Sequence, residues 1–160
     1  MEGEFRGWTE DFQRFFIGLG MDNSKQYFEA HRKTYEQKVR GPMIALLRSL
    51  ESEFGPSKVS RPNRDIRFSK DKSPYKTNIY GHTAGGYVSL DAKGLVAAGG
   101  RYELAPEALP RYREAVARDS SGEQLAEIVE TLEKKGYEVG GEELKRVPSP
   151  YPRITLARVC

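Results

Sequence analysis

"IYGHTAGGYVSLDAKGLVAAGG" occupies Ile79–Gly100, and its punctuation decides the fold. Gly85-Gly86 turns the chain into YVSL at 87–90. DAKG at Asp91–Gly94 has the composition of a tight hairpin loop, and LVAA at 95–98 runs on to Gly99-Gly100. Short strands joined by tight turns pair antiparallel. Ile79-Tyr80 opens the first of them. Upstream, Ile66 and Phe68 alternate with Asp65, Arg67 and Ser69, so a further strand is predicted over Arg64–Phe68, with Ile66 and Phe68 toward the core.

Helical patterns flank this centre. Phe12, Phe15, Phe16 and Leu19 share one face after a candidate cap at Thr9, and Gly20 suits the stop. A second helix is predicted from Asp22 or Asn23, with Asn23 as cap and Gln26 completing a capping box. Its stripe is Phe28, His31, Tyr35 and Val39. Gly41-Pro42 breaks it and starts a third helix with Met43, Leu46, Leu47, Leu50 and Phe54 on one face. Beyond the strands, "PEALPRYREAVARD" from Pro106 reads as a helix with Pro110 in its first turn. Ser120 or Ser121 can cap another carrying Leu125, Ile128, Val129 and Leu132, closed by Gly136. "YEVGG" at 137–141 and "RITLARV" at 153–159 read as short strands. Helices, then strands, then helices predict one α+β domain over 1–160. Its N-terminal helices should pack on a mainly antiparallel sheet, with more helices after it.

Composition narrows the class. At 160 residues, 38% hydrophobic and 31% charged, the chain is long enough for one core and too apolar for wholesale disorder. No apolar run is long enough to span a bilayer, so no membrane partner is expected. The opening "MEGEFRGWTEDF" has no apolar run, so no ordinary signal peptide is expected. Cys160 is the one cysteine, which leaves no internal disulfide and makes the cytoplasm the expected compartment.

Charge is concentrated. Residues 61–78, "RPNRDIRFSKDKSPYKTN", carry six basic and two acidic side chains, while the whole chain is only +3. The excess of +4 there leaves the remainder at −1, so the basicity is a local field suited to an anion. On a strand, Asp65 and Arg67 would be same-face neighbours. The carboxylate could then hold the guanidinium while its fork kept free donors for a phosphate or carboxylate. Lys70, Lys72 and Lys76 add point charges, and Tyr75 a phenolic donor or a stacking ring.

"RPNRDIRFSKDKSPY" resembles the signature of the bacterial DUF2461 family, R-x-x-R-D-x-R-F-x-x-x-[DN]-K-x-x-Y, through Arg61, Arg64, Asp65, Arg67, Phe68, Asp71, Lys72 and Tyr75. "NSKQYFEAHRKTYEQKV" is similar to the family's N-terminal helix, with Tyr27 where Trp is usual. "AAGGRYELAPEALPRYREAV" is similar to its glycine-rich strand and following helix, and "YEVGGEELKRVPSPYP" to its later strand. The family's usual Gly-Tyr and His-Pro are missing after Leu144-Lys145-Arg146, and its members are usually longer. The resemblance therefore implies a domain shortened at its C-terminus. It implies that the 61–75 constellation matters and supplies no reaction.

The expected ligand set is Arg61, Arg64, Asp65, Arg67, Lys72 and Tyr75, with Asp65 as orienter and an anionic small molecule, phosphorylated or carboxylated, as partner. Were the site catalytic, Asp65, Asp71 or His82 would be the candidate general base. Two other readings compete. One is a nucleic-acid or acidic-protein module, in which Tyr80, Tyr87 and Tyr102 could stack on bases. The other is an ion-pair network that only fixes the fold. A ligand site should be concave with converging Arg heads, a nucleic-acid surface an open basic stripe, and a structural network buried and fully paired. No metal is expected, because His31, His82 and Cys160 show no ligand spacing. No cofactor is expected either, because G-x-x-x-x-G-K-[ST] and G-x-G-x-x-G are both absent.

Overall fold

The computed structural model describes residues 4–100 and 104–140. They belong to two compact units, Met1–Gly100 and Arg101–Cys160. No described helix is long and apolar enough to cross a membrane.

The first unit opens with helix α1, Asp11–Met21, which buries Phe15, Phe16 and Leu19. Thr9 does not cap it by accepting a bond. Its hydroxyl instead donates to Asp11 Oδ2 at 2.7 Å. Helix α2, Lys25–Thr34, is capped by Ser24, whose Oγ accepts from the Tyr27 amide at 3.1 Å. Asn23, the expected cap, is used elsewhere. His31 is also off the buried stripe. It is exposed, stacked on the Tyr27 ring, with Nδ1 2.8 Å from the Tyr27 carbonyl oxygen.

Gly41-Pro42 does not break the helix as predicted. The chain passes through a π-helical stretch, Tyr35–Arg40, straight into α3, Gly41–Phe54. The Gly41 amide donates to the Glu36 carbonyl, five residues back, and a Cβ on Gly41 would lie 3.1 Å from that oxygen. The wider turn spaces the chain before Pro42, which has no N–H to give. The Val39 carbonyl accepts from the Trp8 indole at 3.2 Å. Met43 and Leu47 are buried, Leu46 and Leu50 half-buried, and Phe54 is exposed at the end of the stripe.

The sheet has the order β1-β2-β3-β4 and is antiparallel throughout: β1 is Lys58–Val59, β2 Asn78–His82, β3 Gly86–Asp91 and β4 Gly94–Gly99. The DAKG hairpin forms as read. Asp91 pairs with Gly94, the Lys93 amide donates to Asp91 Oδ1 at 2.7 Å, and Gly94 has φ +133. Alternation puts Ile79, Gly81 and Leu90 in the core, with Phe15, Phe28, Met43 and Leu47 among the residues they join. Gly81 is required by packing, since a Cβ there would lie 2.3 Å from Leu47 Cδ1. Asn78, Tyr80 and His82 point to the opposite face of the sheet.

The second unit holds α4, Ala108–Ala117, and α5, Asp119–Lys134. Pro110 sits in the first turn of α4, where a missing N–H costs little. Neither Ser120 nor Ser121 caps α5, which begins at Asp119; the Ser121 hydroxyl donates to the Ala115 carbonyl. Tyr137–Gly140 is not a strand. The predicted strand at 153–159 and the Leu144-Lys145-Arg146 segment lie outside the described residues, as do Tyr102 and Cys160. The protein is α+β, with helices before and after a four-stranded antiparallel sheet.

Candidate functional site

The stretch Arg64–Phe68 is a loop, not the predicted strand. Its base is closed by an isolated antiparallel bridge between Asn63 and Tyr75. The Arg64 amide donates to the Pro74 carbonyl and the Lys76 amide to the Pro62 carbonyl, both at 2.9 Å. Between these anchors the chain bulges outward. Among the described residues no strand lies beside 64–68 to pair with it, and side chains satisfy the segment locally instead. Phe68, expected in the core, is 96% exposed, with the Arg67 guanidinium 5.9 Å from its ring centroid.

Side chains then hold the loop from inside. Arg67 donates Nε to Asp65 Oδ1 at 2.9 Å and Nη2 to Asp65 Oδ2 at 2.6 Å, so the expected Asp65–Arg67 pair exists, formed across a turn instead of along a strand. This side-on fork leaves Nη1 unused. Arg64 Nη1 donates to Asp71 and, at 2.8 Å, to Ser73 Oγ, leaving Nε and Nη2. Lys72 Nζ donates to the Ile66 carbonyl at 2.9 Å and Lys76 Nζ to the Arg61 carbonyl at 2.8 Å.

Electrostatics follow this pairing. Hydrogen bonds from Arg67, side chain first, hold the Asp65 carboxyl below its ordinary range, with the charge of Arg61 adding to the effect. The Ser73 amide and hydroxyl, then Arg64, do the same for Asp71. A carboxylate held ionised in this way is a good orienter and a weak general base near neutral pH. Lys76 shifts the other way. Burial lowers its pKa first, and the Arg61 charge lowers it further. Among the described residues, neither Arg61 nor Lys76 has a carboxylate within salt-bridge distance.

Where the loop returns to β2, a cavity of about 360 Å³ opens, lined by Arg64, Asp65, Lys76, Thr77, Asn78 and Tyr80. Of the expected ligand set, it brings Arg64 and Asp65 together. Arg67 and Lys72 hold the loop from outside the cavity wall. Tyr75 is only 6% exposed, its ring stacked on Phe28 at 4.1 Å and 6°, so it is a pillar of the core at the loop base. Asp71 ties down Arg64. His82 is exposed on the sheet face of Tyr80, two residues along the strand. Among the described residues no group of three or more His, Cys, Asp or Glu could hold a metal.

Sequence reasoning missed Thr77 and Asn78 as cavity residues and named Tyr80 only as a base-stacking ring of the nucleic-acid alternative. The signal was present: if Ile79 faces the core, its neighbours Asn78 and Tyr80 face outward beside the basic loop.

This architecture defines an α+β protein with a cation-rich, side-chain-braced loop set against an antiparallel sheet. A family described as "Conserved hypothetical protein (DUF2461)" matches residues 11–156, and the chain belongs to that family. No curated protein and no solved structure matches it.

Proposed function

We propose that the protein recognises an anionic ligand, phosphorylated or carboxylated, in the cavity between the 61–76 loop and β2. One observation carries this reading. The cavity is a shallow, open depression lined by Arg64, Asp65 and Lys76, with the charge of Arg61 close by, and among the described residues Arg61 and Lys76 have no carboxylate within salt-bridge distance. Two like charges held close together, one partly desolvated, cost free energy that a bound anion would offset. Thr77 and Asn78 add neutral donors at the same wall.

The two Arg–Asp pairs support a division of labour. Asp71 and Asp65 brace Arg64 and Arg67, as a structural network would, while each guanidinium keeps donors that these pairs do not use. The loop is thus a preorganised frame, and Arg61, Arg64 and Lys76 are its anion ligands.

Calorimetric titration with inorganic phosphate and simple phosphate and carboxylate esters tests this. Saturable binding that is lost in Arg61→Ala and in Lys76→Ala, with the fold intact by circular dichroism, is the expected result. An absence of binding to every small anion, or binding indifferent to both substitutions, would overturn it.

A further inference from the structure

The cavity is not walled by charge alone. Tyr80 lines it, and Tyr87 on the adjacent strand lies 5.7 Å from the Tyr80 ring, centroid to centroid, at 32°. The register makes this a diagonal pair: Tyr80 sits opposite Ser89 and Tyr87 opposite His82. Both rings lie on the sheet face away from α1–α3, and Tyr87 is 39% exposed. Aromatics in strands usually pack into a core. These two stand outside it, with Lys76 Nζ 5.3 Å from the Tyr80 centroid. Asn78 Nδ2 donates to Ser89 Oγ at 3.0 Å, which leaves one amide N–H and the carbonyl oxygen free at the cavity wall.

Cations for a phosphate, rings for a planar group, and an amide edge able to donate and accept at once are together the chemistry that recognises a nucleotide. We propose that the cavity takes a nucleoside monophosphate, its base laid against Tyr80 and Tyr87 and its phosphate held by Arg61, Arg64 and Lys76. This rests on the anion site proposed above and names its substrate class. Charge complementarity favours a mononucleotide over a strand. Arg61 and Lys76, which among the described residues have no carboxylate within salt-bridge distance, match the charge of about −1.5 to −2 on one phosphate monoester. A single-stranded nucleic acid instead needs a cationic track that runs on beyond the cavity, and there Arg67 is already engaged by Asp65. The cavity volume, about 360 Å³, falls at the lower end of small-ligand sites.

The experiment compares inorganic phosphate, ribose 5-phosphate, adenosine monophosphate and a ten-residue oligothymidylate by calorimetry, on the wild type, Tyr87→Leu and Tyr87→Phe. Tyr87 is chosen because its rim position makes it tolerant of change. The expected result is that adenosine monophosphate binds roughly ten-fold more tightly than ribose 5-phosphate, as one base–aromatic stack implies. Tyr87→Leu should abolish that advantage and leave ribose 5-phosphate binding unchanged, while Tyr87→Phe, which keeps the ring, restores it. Equal affinity for the two phosphates, or an equal loss of both in Tyr87→Leu, would overturn the nucleotide assignment and leave the anion site standing. Binding of none of the phosphates would overturn the nucleotide assignment and confine the anion reading to carboxylates. Binding of the oligonucleotide alone would overturn the proposal by assigning the face to single strands.

Discussion

Asn23, just before α2, grips the backbone of Tyr75 from both sides: its Nδ2 donates to the Tyr75 carbonyl at 3.0 Å and its Oδ1 accepts the Tyr75 amide at 2.9 Å. One side-chain amide thus does what a paired strand would do, at the point where the basic loop rejoins the core. The Tyr75 ring meanwhile stacks on Phe28 of α2. The base of the candidate site is therefore fastened to the N-terminal helices by a bidentate amide and a buried ring.

Asn23→Ala should destabilise the protein by about 1–3 kcal/mol, the usual cost of leaving a buried amide and carbonyl unpaired. Urea denaturation gives the magnitude, and amide exchange should show early loss of protection at Tyr75. An unchanged midpoint would mean that water replaces the clamp at no cost. Asn23→Asp keeps the acceptor and loses the donor, so it should fall between wild type and Asn23→Ala in amide protection.

The close approach of α3 to the sheet is tested at Gly81. Gly81→Ala places a methyl 2.3 Å from Leu47 Cδ1, an overlap expected to cost about 1–3 kcal/mol. Leu47→Ala alone should cost about 2–5 kcal/mol through the cavity it opens. Together they should cost less than their sum, because the new methyl fills part of that cavity. Strict additivity in a double-mutant cycle would contradict the packing described here.

The core and sheet were legible because their signals are periodic. The Phe12–Leu19 face, the Met43–Leu50 stripe and the DAKG hairpin each follow from spacing or turn chemistry. The loop was read as a strand because Ile66 and Phe68 alternate with polar residues, yet alternation carries no information on whether a partner strand exists. Lys72 and the paired aspartates satisfy that segment locally instead. Asn23 was misassigned for a related reason. A residue suited to capping is equally suited to binding any nearby backbone, and only the fold places Tyr75 within its reach. The π-helical passage into Pro42 has no signature in residue spacing. The Asp65–Arg67 pair is predicted from same-face spacing on a strand, and it forms without the strand because a turn brings residues two apart within reach as well.

That pair is exposed, with the Arg67 side chain 75% accessible, so its role is orientation more than stability. Arg67→Lys and Asp65→Asn should both melt close to wild type. Asp65→Asn should weaken anion binding at the adjacent cavity, because Asp65 lines it and fixes the loop beside it. Acid provides a second measure. The pKa values of Asp65 and Asp71 are depressed in the folded chain, so their contribution is present above the ordinary carboxylate range and is lost as pH falls through the folded values. Amide exchange in 64–73 should accelerate there before the core opens. Simultaneous opening of loop and core would show that the brace is not separable from the fold.

Lys76 offers the sharpest pH test of the ligand reading. Burial and the Arg61 charge lower its pKa, so its ammonium is disfavoured in the free protein. The sign is opposite to that of the aspartates. The penalty is fully present while Lys76 is protonated and is relieved as pH rises through its lowered folded pKa, so the free protein gains stability over that interval. A bound anion reverses the balance by favouring the charged form. Anion binding should therefore raise the Lys76 pKa, and affinity should fall as pH rises through the Lys76 titration. In Lys76→Arg, which stays charged throughout, affinity should hold steady over the same range. NMR of the Lys76 side chain with and without inorganic phosphate reads the shift directly. A phosphate-saturated protein whose Lys76 titrates as in the free state would place the bound anion elsewhere on the molecule.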